Sequence, residues 1–358
     1  MDLLLIALVF LLLAAAQAVL IARFGLRGFA YRRAFSRPSA TAGDTVEFVE
    51  VIRNRGPLFL PWVRLESRVP PTFEFHTKEE VDIRGNNYHK SVFTLAPFSQ
   101  VTRRHRVLLK KRGHFCLTQA SMTAGDLLGM RLLNRDMDAP AEIFVYPALV
   151  SWDDASLPSS RAQGEVGVPR WIQPDSFLVN GIRGYQPGDP EKEIHWAATA
   201  RTGELQVKTH DFTADPRLMV LINGQKSEDQ WGNLMDYEQD RIEYAISLAA
   251  TMCLSALNQG MEAGFAANMP LDEEEESACL LPGRGAGQEE ALLRGFARLR
   301  IQQSRTFPTF LEQLPRLTGA DVVILSCYDS DSIRAQMRVI RGLGNSVSLR
   351  ILPEVPHA

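Results

Sequence analysis

The feature that most restricts how this chain can fold is an apolar run near its amino terminus. From Leu3 to Ala22 every residue except Gln17 is apolar. A helix of this length, at about 1.5 Å per residue, spans the roughly 30 Å hydrocarbon core of a bilayer. The run therefore predicts a transmembrane helix with a basic flank over residues 1–33. A cleaved signal peptide is the alternative, because residues 16–18 resemble a cleavage site, but the preceding segment carries Asp2 instead of a basic residue.

The charges beside this run predict its orientation. Arg23, Arg27, Arg32 and Arg33 follow the run, whereas Asp2 precedes it. Because positive charge marks the cytoplasmic side of a membrane helix, we expect a single-pass protein of the cell membrane whose soluble domains are cytoplasmic. The lipid bilayer is thus the first predicted partner. The arginines either set the topology alone or also contact anionic lipid head groups.

Composition narrows the function classes. The 358 residues carry a net charge of −3 and a pI of about 6.2, so the totals predict no nucleic-acid partner. Cysteines occur at four scattered positions without a C-x-x-C pair: Cys116, Cys253, Cys279 and Cys327. This usage predicts reduced, mostly buried thiols and favours the cytosol.

Residues 37–150 show the pattern of an all-β, immunoglobulin-like sandwich. Residues 62–69 alternate between apolar and polar side chains, and residues 101–109 indicate a second strand. Turn signals such as Asn54-Arg55-Gly56-Pro57 separate runs rich in Val, Phe, Leu and Thr. The layout is typical of an antiparallel sandwich.

A basic cluster in this region has two interpretations. It comprises Arg103, Arg104, His105, Arg106, Lys110, Lys111 and Arg112. Because residues of a strand alternate between two faces, a solvated strand rim is favoured over an anion-binding surface. His114 and Cys116 supply two soft ligands on one strand face, whereas a zinc site needs three or four.

A linker precedes the most informative stretch of the chain. Residues 151–175 contain three prolines and no long apolar run, which indicates an irregular connector. In residues 176–212, Pro187-Gly188 suits a tight turn, Asp189 can cap a helix, and Pro190 fits the first helical position. A helix to about Arg201 and a short strand over residues 204–208 are predicted next.

This stretch resembles the signature of the domain of unknown function 58 family. Signature positions are occupied by Arg183, Tyr185, Gly188, Asp189, Ile194, Trp196, Ala200, Arg201, Leu205 and Val207. Gly184 replaces a Glu that is usual in the family, and Lys192 stands where Arg is common. Upstream segments, among them Pro61-Trp62 and Val145-Tyr146-Pro147, are also similar to the family.

The resemblance implies a partner and a fold. Members are commonly membrane-anchored and encoded beside a MoxR-type AAA+ ATPase, which the resemblance therefore implies as a partner. It also implies that residues 213–358 form an α/β, von Willebrand factor A-like domain. The interleaved apolar strands and helices of this region independently predict a mostly parallel sheet with helices on both faces.

The signature motif has two interpretations. In the favoured structural one, Trp196 packs in the core and Asp189 caps the helix. In the functional one, the motif is a docking or anion site. Its candidate binding residues are Arg183, Tyr185, Gly188, Asp189, Lys192, His195, Trp196, Arg201 and Lys208.

A cation site of the von Willebrand factor A type is degenerate in this sequence. Such domains can bind Mg²⁺ after their first strand through Asp-x-Ser-x-Ser. Here Asn223 stands in place of the aspartate and Gln225 in place of the first serine, while Ser227 keeps the second serine. The positive charge of Lys226 would repel a cation. Asp329 and Asp331, after a later strand, still offer carboxylates. We expect no bound metal here and no cofactor. The glycine-rich residues 283–287 lack a phosphate-loop ending and predict a loop.

The sequence thus favours a non-enzymatic, membrane-anchored adaptor or scaffold that acts with a MoxR-type ATPase, since no complete catalytic constellation is present. One alternative is a hydrolase that uses His195 or His210. Another is a structural envelope protein whose sandwich binds a membrane partner.

Overall fold

The computed structural model describes most of the chain beyond residue 27. The described residues are 5–6, 8, 10, 16, 19–20, 23, 28–75, 88–125, 132–150, 179–184, 194–210, 217–230, 232, 234–271, 276–302 and 304–354. They fall into two compact units, residues 1–148 and residues 149–358.

Most of the predicted membrane span, residues 3–22, lies outside the described residues. Among the residues that are described, no helix has both the length and the apolar character needed to cross a bilayer.

Two β-sheets form the first unit. The first sheet has the order β1-β3-β7-β5 and is antiparallel throughout. The second has the order β2-β9-β8-β4-β6, with β2 parallel to β9 and the other pairs antiparallel. The strands are β1 (Phe29–Phe35), β2 (Ser39–Thr41), β3 (Thr45–Asn54), β4 (Leu60–Arg68), β5 (Phe73–Phe75), β6 (Tyr88–Leu95), β7 (Gln100–Leu109), β8 (Gly113–Gly125) and β9 (Leu132–Tyr146).

Strand alternation builds the core between the two sheets. Along β3 the even-numbered side chains from Val46 to Asn54 are buried, whereas the odd-numbered ones are at least partly exposed. The core clusters combine residues of both sheets, for example Phe48 with Ile143 and Ile52 with Leu65. The predicted β-sandwich is thus confirmed, and it starts at Phe29, inside the segment that we had assigned to the basic flank.

The second unit contains an antiparallel hairpin and a five-stranded sheet. The hairpin pairs β10 (Val179–Gly184) with β11 (Gln206–His210), and helix α1 (Trp196–Thr202) lies between them in sequence. The sheet has the order β14-β13-β12-β15-β16, in which only β14 runs antiparallel to its neighbour. Its strands are β12 (Arg217–Ile222), β13 (Glu262–Ala267), β14 (Ala278–Gly283), β15 (Asp321–Ser326) and β16 (Ser346–Ile351).

Helices cover both faces of this sheet. Leu218, Val220 and Ile222 of β12 face the core with helices α2 and α3, whereas Met219 and Leu221 face helices α4 and α5. Because both faces are buried, β12 is a continuous apolar run instead of an alternating one. The helices are α2 (Asp236–Asn258), α3 (Ala286–Arg298), α4 (Phe307–Glu312) and α5 (Asp331–Gly342).

One local prediction in this unit was wrong, and one short helix was not predicted. The glycine-rich residues 283–287 are not a loop: Gly283 ends β14, Gly285 caps α3, and the helix starts at Ala286. Gly285 has a φ of +86°, which a residue with a side chain rarely adopts, so this glycine permits the tight entry into the helix. Helix α4 was not predicted, because its Pro308 and short apolar run give no helical period.

Candidate functional site

The signature motif forms a small structure around the hairpin β10–β11. Arg183 pairs with Val207 and Ile182 with Lys208 across the hairpin, and Ile194 forms a bridge to Val207. The buried side chains of Ile194 and Val207 anchor this structure. The motif therefore sits on a two-stranded ribbon and not on the five-stranded sheet.

Helix α1 is capped at both ends and is tied to the ribbon through Thr199. His195 caps its start, since its Nδ1 accepts a hydrogen bond from the Ala198 amide at 3.0 Å. Gly203 ends it in the left-handed conformation and donates its amide hydrogen to the Thr199 carbonyl. The Thr199 hydroxyl also accepts from the Gln206 amide at 3.0 Å, which ties the helix to β11.

Trp196 does not pack in the core, contrary to our structural interpretation of the motif. The side chain is 68% exposed, and helix α1 contains no buried residue. Ala197, Ala200 and Arg201 are exposed as well, and Leu205 is 45% exposed just beyond the helix. We call these five residues the α1 face. The prediction failed because the helix is held by its caps and by Thr199, so its apolar side chains contribute little to its position.

For the other candidate residues of the motif, the structure describes the backbone only or does not describe the residue. Tyr185, Gly188, Asp189 and Lys192 lie outside the described residues, so the predicted cap by Asp189 does too. The structure places Arg183 on β10 and Lys208 on β11, and it describes their backbones only. The observed cap of helix α1 is His195, which the sequence pattern had not indicated for that role.

The cap constrains the chemistry of His195. Its Nδ1 lone pair accepts the Ala198 amide, so the proton of the neutral ring sits on Nε2. A general base needs a free nitrogen lone pair, which this tautomer lacks unless the cap is broken.

The residues of the predicted degenerate cation site form a buried hydrogen-bonded network after strands β12 and β15. The Asn223 amide donates to the Ser326 hydroxyl at 3.0 Å, and its oxygen accepts from the Gln225 backbone amide at 3.0 Å. The Gln225 side-chain oxygen accepts from the Phe307 amide at 2.7 Å. Asn223, Gln225 and Ser326 are fully buried. Their oxygens, which Mg²⁺ would need, are therefore already occupied.

The charged residues around this network are paired outside it. The Lys226 ammonium lies 2.9 Å from a Glu238 carboxylate oxygen, and Asp329 holds Arg334 through both of its oxygens. Asp331 is exposed at the start of α5. Asp329 thus does not complete a cation site with Asn223.

Sequence reasoning missed a buried polar cluster in the sandwich. Glu50 on β3, His89 on β6 and His105 on β7 are all at most 5% exposed and meet between the sheets. His105 had been assigned to the solvated basic cluster, and that assignment was wrong because His105 shares the inward parity of Val107 and Leu109. The same signal was present in β3, where Glu50 stands between the inward-facing Phe48 and Ile52.

Comparisons with known proteins give one family and several distant likenesses. An uncharacterized protein of Bacillus subtilis, YeaD, is 24% identical over 249 residues, which cover 70% of this chain and 58% of that relative. The matched region thus spans less than two thirds of the relative's length.

Two solved structures are weakly similar. The CARDB domain of a Pyrococcus furiosus protein is 12% identical, with a TM-score of 0.22, and covers 34% of this chain and 96% of that one. A cohesin of Archaeoglobus fulgidus is 12% identical, with a TM-score of 0.23, and covers 35% of this chain and 94% of that one. Both scores are too low to indicate a shared fold.

Residues 181–343, from the signature hairpin to the end of helix α5, match the family described as Protein of unknown function DUF58. The match includes the α1 face and the hydrogen-bonded network around Asn223. The matched residues make up less than half of the chain, so the similarity to DUF58 is shown for this part of the second unit.

Proposed function

We propose that this chain is a membrane-tethered, non-enzymatic adaptor that binds a MoxR-type AAA+ ATPase through the α1 face. The observation that carries the proposal is the exposure of Trp196, at 68%, within the family signature. Tryptophan, tyrosine and arginine are the residue types most enriched at the centres of protein interfaces, and the same short helix also exposes Arg201.

The energetics of the α1 face favour a protein partner. Covering a large aromatic side chain at the centre of an interface typically contributes about 2 kcal/mol or more to the binding free energy. Helix α1 itself gains little from this side chain, because its caps and the Thr199 contacts hold it in place. The apolar side chains of the α1 face are therefore free to stabilise a complex.

The tether is supported by the described positions near the amino terminus. Their backbones are helical, and the large apolar side chains are exposed: Leu5, Ile6, Leu8, Phe10, Val19 and Leu20. Exposed apolar side chains on a helix suit a lipid environment. The four arginines that follow support a cytoplasmic location for the soluble units.

Two further features support the assignment. The use of the His195 lone pair in a helix cap argues against the hydrolase alternative. The five-stranded sheet with helices on both faces supports the von Willebrand factor A-like assignment of residues 213–358. In this proposal the domain displays the signature hairpin to the ATPase.

Affinity capture tests the proposal. The full chain is captured from gently solubilised membranes, and co-purifying proteins are identified by mass spectrometry. We expect a MoxR-type ATPase to co-purify with the wild type. Trp196→Ala should bind it at least about 30-fold more weakly, because truncating a central interface residue typically costs about 2 kcal/mol of binding free energy.

Phe98→Ala is the matched control, because Phe98 is a 73% exposed aromatic residue outside the matched region. Equal recovery of the ATPase with Trp196→Ala would show that the α1 face is not the binding site. Absence of such an ATPase from the wild-type capture would overturn the partner assignment.

A further inference from the structure

A buried cluster of metal-ligand side chains joins the two sheets of the sandwich. Glu50 on β3 and His105 on β7 come from the first sheet, whereas His89 and Ser91 on β6 come from the second. Each is at most 5% exposed. The ligand atoms of Glu50, His89 and His105 all lie within 4.8 Å of one another.

Four of the six separations between the donor atoms are close to those around a tetrahedral ion. The Glu50 Oε2 atom lies 3.1 Å from His105 Nε2, 3.4 Å from His89 Nε2 and 3.3 Å from Ser91 Oγ. Ser91 Oγ lies 3.1 Å from His89 Nε2. With ligand bonds of about 2.0–2.1 Å, tetrahedral zinc places neighbouring donor atoms about 3.3–3.4 Å apart. Charge-assisted hydrogen bonds are shorter, at about 2.7–2.9 Å.

The Glu50 carboxylate is prepared to act as a ligand. Tyr31 donates its hydroxyl hydrogen to Oε1, the other carboxylate oxygen, which leaves Oε2 directed at the histidines. Such second partners orient metal-binding carboxylates.

The surroundings hold the imidazoles in position and exclude water. The His89 ring stacks on Phe75, with centroids 4.7 Å apart, and meets the His105 ring at 4.7 Å in an edge-to-face arrangement. Phe48 contacts His89 edge-on from the β3 side. The buried Arg33 guanidinium already interacts with Glu50 electrostatically, and a bound cation would add to the neutralisation of this buried carboxylate.

We propose that Glu50, His89 and His105, with Ser91 as the fourth donor, bind one structural Zn²⁺ ion that links the two sheets of the sandwich. Two imidazole nitrogens with one carboxylate oxygen are a known zinc ligand set, whose fourth position a further oxygen donor fills. The Ser91 hydroxyl occupies that place here. The site lies outside the family-matched region and does not rest on the adaptor role.

A second, exposed cluster of possible metal ligands must be disabled before the zinc content of the buried site is measured. His114 Nε2 lies 2.7 Å from Glu142 Oε1 and 3.3 Å from Cys116 Sγ, so cross-strand pairing adds a third ligand to the pair seen in the sequence. The experiments therefore use full-length chain that carries His114→Ala.

Zinc content measures the buried site directly. We expect the His114→Ala chain, loaded with Zn²⁺ and passed over a desalting column, to retain one zinc per chain and to melt at a higher temperature than the chelator-treated chain. Adding Glu50→Gln or His105→Gln should abolish retention, because each removes a ligand with little change in volume. Ser91→Ala should weaken binding less, since the two histidines and the carboxylate remain.

Two measurements keep the proposal testable if the ligand variants do not fold. Co²⁺ in place of Zn²⁺ should give the intense visible bands of a four-coordinate ion in the His114→Ala chain. Tyr31→Phe, which keeps every ligand, should weaken metal binding roughly 10- to 100-fold. No retained zinc and no such Co²⁺ bands would overturn the proposal, as would full zinc retention in folded Glu50→Gln and His105→Gln chains.

Discussion

At the scale of single residues, Lys226 forms an ion pair beside the hydrogen-bonded network around Asn223. Its ammonium lies 2.9 Å from the Glu238 carboxylate at the start of α2. The hydrogen bond from Lys226, followed by that from the Met235 amide, holds the pKa of Glu238 below its usual value. The lysine thus supplies a fixed positive charge close to the network around Asn223.

Lys226→Met should raise the pKa of Glu238 towards the ordinary glutamate value of about 4.3. A depressed carboxyl pKa stabilises the fold above the unfolded pKa, and the contribution is lost as the pH falls through the folded pKa. The stability difference between wild type and variant should therefore shrink on acidification. NMR titration of the Glu238 carboxyl carbon measures the pKa directly.

Lys226→Arg is the matched control, because it keeps the positive charge and should keep the pKa low. An unchanged Glu238 pKa in Lys226→Met would show that the ion pair is not what lowers it.

At the scale of elements, the edge strand β14 packs closely against Gly264 of its neighbour β13. A Cβ atom at Gly264 on β13 would lie 2.5 Å from the Leu280 carbonyl oxygen and 2.6 Å from the Pro282 nitrogen, both backbone atoms of β14. The pairing of β13 and β14 shifts register beside this residue. The antiparallel edge strand therefore approaches β13 more closely than a side chain permits.

Gly264→Ala should reduce the free energy of unfolding by about 1–3 kcal/mol, because backbone atoms of β14 must move to admit the methyl group. Gly342→Ala in helix α5, where a Cβ meets nothing within 4 Å, should be neutral or stabilise by up to about 1 kcal/mol. Thermal and urea unfolding of the full chain compare the two. Equal effects of both substitutions would contradict the close approach of the strands.

The loops after β12 and β15 should not respond to magnesium. Millimolar Mg²⁺ should leave the melting temperature nearly unchanged, because the oxygens of Asn223 and Gln225 already accept hydrogen bonds. A ligand at about 100 times its Kd would add roughly 2.7 kcal/mol and be easily detected. A Mg²⁺-dependent rise that disappears in Ser227→Ala or Asp329→Ala would show that these loops bind the cation after all.

At the scale of the whole molecule, the charges beside the apolar run predict on which side of the membrane the C-terminal unit lies. A reporter fused after Ala358 should be cytoplasmic, because the four arginines after residue 22 outweigh the amino terminus in the positive-inside balance. Protease added outside intact cells should leave the C-terminal unit whole. Digestion of the C-terminal unit in intact cells would indicate the opposite topology. A mature chain that lacks residues 1–18 would favour the signal-peptide alternative.

The sequence by itself determined the elements whose signals are local. Strands β12 and β15 and the long helix α2 lie in the region whose interleaved apolar runs predicted strands and helices. Buried parallel strands and long helices are encoded in continuous apolar runs and in helical periodicity, which neighbouring residues alone supply. The end of helix α1 at a glycine is encoded in the same local way.

Only the tertiary structure decided which distant side chains meet and which face water. Glu50, His89 and His105 are separated by 39 and 16 residues in sequence, and they converge because two sheets pack face to face. Trp196 is exposed because polar contacts to the ribbon, and not apolar burial, hold its helix. Hydropathy records how apolar a residue is, whereas its burial depends on which surface the rest of the chain brings against it.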